Sequence, residues 1–154
     1  MDKPILKYVY NGRGHEDLIL SLPNYERVAD TYYFALDSGI RAGDESFEKV
    51  RTIIASLLAQ WNNAVSSRES VVFLPYDFSD EYTGCLRVLI EDKVVHVTPG
   101  FSKREGWSFS PSDISGYVHS VSDFRTDGPS ISFSREGWID RVMEAAMLLS
   151  SLET

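Results

Sequence analysis

The chain has 154 residues, of which 43% are hydrophobic and 25% are charged, a composition that suits a folded protein and excludes collagen, coiled coil and disorder. We expect residues 1–154 to form a single domain that needs no disulfide or metal for its stability. The 23 acidic and 15 basic residues give a net charge of −8, which argues against nucleic-acid binding because phosphate recognition uses lysine and arginine.

Two further features of the sequence indicate where the protein works. No apolar run approaches the roughly 20 residues of a membrane span, and residues 1–5 lack the basic and apolar regions of a signal peptide. The single cysteine, Cys85, lies in a run typical of a strand, which predicts a small buried side chain rather than a reactive thiol. We therefore expect a cytoplasmic protein without a membrane partner.

Short β-rich runs dominate the first 40 residues. Strands are predicted at residues 4–10, 18–22 and 31–36, because these runs are rich in aliphatic and aromatic side chains. Asn11-Gly12 predicts a turn after the first strand, and Pro23-Asn24 ends the second. Residues 24–30 are compatible with a short helix or a loop.

A long amphipathic helix is predicted from about Asp44 to Trp61. Acidic residues in its first turn complement the positive end of the helix dipole. Its apolar positions follow a single stripe of 3.6-residue period, made of Phe47, Val50, Ile54, Leu57, Leu58 and Trp61.

Three more strands are predicted after this helix, at residues 70–74, 84–90 and 93–98. The first is apolar throughout, which is typical of a strand covered on both faces. Glu91-Asp92 predicts a tight hairpin between the other two, and Pro99-Gly100 is expected to end the run. A further short strand is predicted at residues 107–109.

Two more helices, with one short strand between them in the sequence, are predicted in the C-terminal third. Ser110 and Pro111 suit the N-cap and first position of a helix that ends before Asp123. A strand at residues 131–133 precedes a closing helix at residues 135–152 with Ser134 as its N-cap. The expected buried stripe of this last helix is Ile139, Val142, Met143, Ala146, Met147 and Leu149 or Ser150. The chain is thus predicted to be α+β, in two halves that each run from strands to a helix.

No pattern of catalytic or metal-binding residues is found in the sequence. His15, His96 and His119 do not pair at the spacing of metal ligands, and no cysteine cluster is present. No serine lies in a nucleophile elbow. The adjacent carboxylates fall in predicted turns, where the environment seldom separates two pKa values enough for acid–base catalysis. We therefore expect no enzyme activity, no cofactor and no metal, and favour binding of another macromolecule.

Half of the excess negative charge lies between Tyr76 and Asp92, where five acidic residues and one arginine give −4. Tyrosines beside carboxylates are common on surfaces that bind basic proteins, although an ordinary polar hairpin is the alternative interpretation. The predicted partner-binding residues are Tyr76, Asp77, Asp80, Glu81, Tyr82, Glu91 and Asp92, with Asp113 and Trp107 as second choices.

The order and spacing of elements over residues 44–152 resembles a known family. The resemblance rests on the strand at 84–90, the turn at 91–93, the strand at 94–97, the segment Phe109-Ser110-Pro111-Ser112-Asp113-Ile114, the Asp127-Gly128 turn and the last strand and helix. These elements look like those of immunity proteins from bacterial contact-dependent growth inhibition systems, of the type paired with an rRNA-cleaving nuclease toxin.

The resemblance implies a fold and a function. It implies a fold similar to Whirly single-stranded-DNA-binding domains, with antiparallel sheet segments packed with helices in two repeated halves. It also implies a cytoplasmic protein that neutralises the C-terminal toxin domain of an effector by blocking its substrate access. The expected partner is a basic toxin domain. The alternative is a single-stranded nucleic-acid-binding domain on the Whirly-like scaffold, which the net charge of −8 opposes.

Overall fold

The computed structural model describes residues 3–152, which form two antiparallel sheets and three helices. The N-terminal sheet contains the strands β1 (Leu6–Tyr8), β2 (Leu18–Leu22) and β3 (Tyr25–Ala29) in that spatial order. The short helix α1 (Tyr32–Ala35) and the long helix α2 (Phe47–Val65) follow it.

The second sheet is built around three long strands. These are β4 (Val71–Phe78), β5 (Thr83–Glu91) and β6 (Val94–Ser102), paired in that order. The short strands β7 (Arg125–Thr126) and β8 (Ile131–Ser134) pair with different parts of β6, and helix α3 (Arg135–Leu149) follows β8 directly. The predicted antiparallel α+β class is confirmed, with strands preceding helices in both parts of the chain.

One continuous core joins the two sheets to the two long helices. It contains residues from β1, β2, α2, β4, β5, β6 and α3. Trp61 of α2 stacks near Trp138 of α3, with 6.4 Å between ring centroids. The Trp61 indole Nε1 also donates a 3.0 Å hydrogen bond to the carbonyl of Pro75 in β4. The predicted stripe of α2 is confirmed, since its members are buried apart from the partly buried Phe47.

The predicted buried stripe of α3 is partly wrong. Ser134 caps this helix as predicted, with its hydroxyl accepting from the Gly137 amide. Met143 and Met147, however, are 51% and 69% exposed. The face that packs against the core is set by the deeply buried Trp138, which the sequence pattern did not include. The buried residues of α3 are Trp138, Val142, Ala145 and Leu149.

The predictions for residues 24–36 are wrong, because a strand precedes a helix there. Pro23 and Asn24 form a two-residue turn with Asn24 at φ 62°, so β3 pairs immediately with β2. The predicted strand at 31–36 is instead the single turn α1. The buried Asp17 carboxylate accepts hydrogen bonds from the Thr31 amide and hydroxyl, at 2.9 and 2.6 Å, and so fixes the start of that turn.

Strand β6 does not end at Pro99-Gly100 as predicted, but continues to Ser102. Pro99 lies between the part of β6 that pairs with β8 and the part that pairs with β7, so its missing N–H falls where pairing on that side is interrupted. Its carbonyl accepts a 2.8 Å hydrogen bond from the Asp127 amide. A Cβ on Gly100 would lie 2.1 Å from the carbonyl oxygen of Arg125, so only glycine lets β7 approach β6 here.

The predicted helix at residues 110–121 and the predicted strand at 107–109 do not form, and both segments are turns and bends. Helix formation is prevented because other parts of the chain use the backbone groups of the segment. The Ile114 amide donates to the Gln60 side chain at 2.8 Å, and the Val118 carbonyl accepts from the Phe73 amide at 3.0 Å. The segment instead covers the outer face of β4, which explains why that strand is apolar on both faces, as predicted.

Candidate functional site

The seven predicted partner-binding residues do not form one patch, because they lie at opposite ends of β5. Residues 76–82 end β4 and form the loop that leads into β5, whereas Glu91 and Asp92 belong to the hairpin at the other end. Strand β5 has nine residues. At about 3.3 Å per residue, its two ends are roughly 26 Å apart.

Tyr76 and Asp77 are inside the protein rather than on its surface. Tyr76 is fully buried in the core, and its burial raises the pKa of its hydroxyl. Asp77 is 5% exposed, and its carboxylate lies 3.3 Å from the Arg27 guanidinium. Burial raises the pKa of Asp77 even though Arg27 opposes the shift. Neither side chain can contact a partner without rearrangement.

Arg27 of β3 is the centre of a polar cluster that the sequence did not predict. Its guanidinium lies 2.9 Å from the Asp127 carboxylate and donates a 2.9 Å hydrogen bond to the Tyr82 hydroxyl. Tyr82 in turn donates to Asp77 at 3.2 Å, and Tyr25 donates to Asp127 at 2.8 Å. We call Tyr25, Arg27, Asp77, Tyr82 and Asp127 the Arg27 cluster. Its charges are largely satisfied internally. The cluster is also a junction between the two sheets, because Arg27 belongs to β3 and Asp77 to β4.

Asp80 and Glu81 are the predicted residues that the structure leaves accessible at this end of β5. Both side chains are exposed in the β4–β5 loop, which is closed by a 3.1 Å hydrogen bond from the Ser79 amide to the Tyr82 carbonyl. The Tyr33 hydroxyl of α1 donates to the Asp80 carboxylate. Since α1 was predicted as a strand, its contact with the acidic loop could not be foreseen.

Exposed aromatic side chains flank these two carboxylates. The Gly106 amide donates to the Ser79 carbonyl at 2.7 Å, which places Trp107, 59% exposed, beside the acidic loop. Tyr32 is 45% exposed, and its ring centroid lies 5.1 Å from that of Tyr33. We call the surface formed by Tyr32, Tyr33, Asp80, Glu81 and Trp107 the acidic–aromatic end.

A groove borders the acidic–aromatic end and exposes part of the Arg27 cluster. It has a volume of about 360 Å³ and is lined by Arg27, Glu81, Tyr82, Phe101 and Lys103. Tyr82 and Phe101 form an edge-to-face pair with 6.1 Å between centroids. Its walls therefore carry charges of both signs, so a protein surface with mixed charge suits it better than a purely anionic ligand.

The other end of β5 is a tight turn with a different character. Asp92 has φ 47°, and its carbonyl accepts a 3.2 Å hydrogen bond from Arg135. Glu91 lies 3.5 Å from the Nε2 atom of His96, with both side chains near solvent. The exposed Lys93 follows in the same turn. These contacts balance part of the negative charge and hold the turn in place.

The second-choice residues lie outside regular secondary structure. Asp113 is in the turn segment rather than at a helix start, and its carboxylate accepts from the Ser115 hydroxyl at 2.7 Å and the Ser115 amide at 3.2 Å. These hydrogen bonds lower the pKa of Asp113. The carboxylate is thus ionised and engaged locally.

Neither the cysteine nor the metal-ligating residue types form a reactive or metal-binding site within residues 3–152. Cys85 is fully buried as predicted, and burial raises the pKa of its thiol to about 12. No group of three or more histidine, cysteine or acidic side chains is arranged to hold a metal ion in this part of the chain. None of the helices formed by residues 3–152 has the length and apolar character to span a membrane.

No protein-family model, no curated protein and no solved structure matches the chain. The resemblance to immunity proteins and to Whirly domains therefore stays a prediction from the order of elements. The α+β fold and the location of the acidic–aromatic end come from the structure itself.

Proposed function

We propose that this protein is an immunity protein that binds the C-terminal nuclease toxin domain of a contact-dependent growth inhibition effector and blocks access of its substrate. The observation that carries the proposal is the acidic–aromatic end, where exposed Asp80 and Glu81 share a surface with exposed Tyr32 and Trp107. The protein acts in the cytoplasm as a one-to-one inhibitor, without turnover and without a cofactor.

The chemistry of a nuclease makes such a surface suitable. A protein that cleaves RNA presents basic side chains to the phosphate backbone. Carboxylates that face this basic surface occupy the place of phosphates and increase the rate of association. Aromatic side chains then supply most of the buried contact area and anchor the complex. The net charge of −8 adds long-range attraction for a positively charged partner.

The acidic–aromatic end is favoured over the hairpin at Glu91 and Asp92. That hairpin has Lys93 and His96 near its carboxylates, and the large apolar side chain exposed beside it is Val94, at 38%. An interface that lacks aromatic anchors at its centre has few residues able to contribute a large share of the binding energy.

The first experiment tests the function directly. The chain is co-expressed with the C-terminal domain of a large exoprotein encoded immediately upstream of its gene. We expect a stable one-to-one complex by size-exclusion chromatography with light scattering, and loss of RNA cleavage by the toxin domain in the complex. Absence of a complex, or full cleavage within it, contradicts the proposal. Tight binding of single-stranded RNA or DNA by the isolated chain at physiological salt favours the nucleic-acid-binding alternative.

The second experiment locates the interface with two matched double variants. Asp80→Asn with Glu81→Gln, and Glu91→Gln with Asp92→Asn, each remove two negative charges while nearly keeping side-chain shape. We expect the first pair to slow association with the toxin domain about tenfold at low salt, with a smaller effect at high salt. The second pair should change it much less. Equal effects, or a larger effect of the second pair, show that the acidic–aromatic end is not the interface.

A further inference from the structure

A second concave feature lies beside α1, and Tyr32 and Ala35 of that helix line it. It is a pocket of about 260 Å³ between the N-terminal sheet, α1 and the start of α2. This volume is below the roughly 300–1,000 Å³ of pockets that bind small molecules and cofactors. The pocket is lined by four aromatic rings, those of Tyr8, Tyr10, Tyr32 and Phe47, and by two carboxylates, those of Asp17 and Glu45, among other residues.

The aromatic rings of the pocket pack against one another in a fixed arrangement. The centroid of the Phe47 ring is 5.6 Å from that of Tyr8 and 5.1 Å from that of Tyr10. Tyr8 is almost fully buried, whereas Tyr10 and Tyr32 are each nearly half exposed. The rings thus extend from the interior to the mouth of the pocket. Tyr8 stacks on Phe47, whose ring also has the Arg51 guanidinium 5.4 Å from its centroid, and Tyr32 stacks on His15. The half-exposed Tyr10 and Tyr32 at the mouth are therefore the rings that a ligand reaches.

The two carboxylates differ in depth and in their contacts. Asp17 is 1% exposed and is fixed by its two hydrogen bonds to Thr31. It also contributes to raising the pKa of Tyr8, after the larger effect of burial. Glu45 is exposed at the rim and forms no ion pair within residues 3–152.

The basic residue in the lining does not cancel this negative charge. Arg13 is exposed, and its guanidinium lies 3.8 Å from the carboxylate of Glu16, which is outside the lining. Asp17 and Glu45 therefore leave the pocket with an excess of negative charge. An anionic ligand would have to enter against this field, whereas a cation is attracted by the carboxylates and by the ring faces together.

We propose that this pocket receives one cationic side chain, an arginine or a lysine, of a basic protein partner. The exposed Glu45 carboxylate and the half-exposed rings replace water that a guanidinium or ammonium group loses on burial, and the buried Asp17 adds negative charge nearby. The pocket is continuous with the acidic–aromatic end, because Tyr32 lines it and contacts Tyr33, whose hydroxyl donates to Asp80. The identity of the partner as the toxin domain rests on the proposed function, but the cation specificity of the pocket does not.

The test uses a single amino acid as the probe. N-acetyl-arginine-N-methylamide is titrated into the ¹⁵N-labelled full-length chain and followed by ¹H–¹⁵N correlation spectra. We expect saturable shifts of the amides that surround the pocket, those of Gly12, Gly14, Thr31 and Ser46. The citrulline analogue has nearly the same shape and no charge, so it should give no saturable shifts there. Equal binding of the two analogues, or shifts spread over the whole acidic surface, overturns the proposal.

A matched pair of variants separates the pocket from the general negative field. Glu45→Gln removes a rim carboxylate, and Glu48→Gln removes a carboxylate one turn of α2 further on that does not line the pocket and lies 3.7 Å from Arg41. We expect Glu45→Gln and Tyr10→Leu each to weaken binding of the arginine probe about threefold or more. Glu48→Gln should leave the affinity for the arginine probe unchanged, and an equal loss of affinity in that variant contradicts the proposed cation site.

The outcomes for the pocket and for the proposed function are distinguishable. If the arginine probe binds and no toxin domain does, the pocket stands and the proposed function fails. If the toxin domain binds and the probe does not, the pocket proposal fails and the proposed function stands. If both bind, Tyr10→Leu with Glu45→Gln should also weaken the toxin complex, and an unchanged complex places the partner's cationic side chain elsewhere and overturns the proposal.

Discussion

The guanidinium of Arg27 lies 3.3 Å from the carboxylate of Asp77, and this ion pair joins the N-terminal sheet to the second sheet. The same guanidinium contacts Asp127 on the chain between β7 and β8. One arginine of β3 thus connects three separate parts of the chain, and its side chain is only 25% exposed. Two residues at this junction, Asp77 and Tyr82, lie immediately beside the exposed acidic loop, so the junction also supports the proposed interface.

Replacing Arg27 tests the importance of this junction for stability. Arg27→Met leaves the buried Asp77 without its cation, so we expect the free energy of unfolding to fall by about 2–3 kcal/mol. Arg27→Lys should recover only part of this loss, because an ammonium group cannot bridge two carboxylates as a planar guanidinium does. Urea denaturation followed by circular dichroism measures both variants. Arg125→Met, at an exposed position of β7, is the control and should change stability by less than about 0.5 kcal/mol.

The raised pKa of Asp77 predicts a dependence of stability on pH. Its pKa in the folded protein is above the unfolded value of about 3.9, so the folded state favours the protonated carboxyl. This contribution is fully present below about pH 3.9 and is lost as the pH rises through the folded pKa. The unfolding free energy of the wild type minus that of Asp77→Asn should therefore decrease as the pH rises from about 3.9 through the folded pKa. Denaturant titrations at closely spaced pH values measure it, and an increase over the same range contradicts the prediction.

Two glycines provide a matched test of how the Trp107 loop is held. A Cβ at Gly106 would lie 2.3 Å from the Ser79 amide nitrogen, whereas a Cβ at Gly116 meets nothing within 4 Å. Gly106→Ala should destabilise the protein by about 1–3 kcal/mol through overpacking, and it should shift the fluorescence of Trp107. Gly116→Ala should change neither the urea midpoint nor the fluorescence appreciably. Similar effects of the two substitutions would show that the close contact of Gly106 does not set the position of the loop.

Lys49 is expected to order the segment between α1 and α2. The ammonium group of this fully buried side chain has three N–H donors and lies 2.6–3.3 Å from four backbone carbonyl oxygens, those of Ala35, Asp37, Arg41 and Asp44. Lys49→Met leaves these acceptors without their donor, so we expect a loss of about 2–4 kcal/mol and faster amide hydrogen exchange confined to residues 36–46. Lys93→Met in the exposed β5–β6 turn is the control. Unchanged exchange in residues 36–46 of Lys49→Met would contradict this role.

Cys85 should be unreactive in the folded protein. Burial raises the pKa of its thiol to about 12, so the reactive thiolate is scarce at pH 8, and the side chain is fully buried. We expect no reaction with Ellman's reagent on the minutes scale in buffer, and reaction of one thiol per chain after unfolding in urea. Rapid labelling of the native protein would show that the β4–β5 region opens readily.

The acidic–aromatic end shows how far the sequence leads toward the candidate site. The sequence identified Asp80 and Glu81 because their charge and exposure follow from residue type and from their position in a turn. It gave Trp107 as a second choice, although it predicted a strand there. It also included Tyr76 and Asp77, which the structure buries, because charge density along the chain contains no information about depth. It missed Arg27, since the partner Asp77 lies 50 residues away and contact between them depends on how two sheets pack.

Local chemistry in the sequence determined most of the regular elements. The periodicity of α2, the cap of α3 at Ser134 and the β5–β6 hairpin follow from interactions between residues close in sequence. The antiparallel arrangement of the sheets was implied by the family resemblance. The errors occur where a distant group takes over the backbone. The Asp17 carboxylate binds Thr31 at the start of α1, in a run that the sequence predicts as a strand. The Gln60 side chain accepts a hydrogen bond from the Ile114 amide, in a segment that the sequence predicts as a helix. Tertiary structure alone decided these segments, the separation of the acidic residues along β5 and the aromatic pocket, because contacts between residues distant in sequence outweigh weak local preferences.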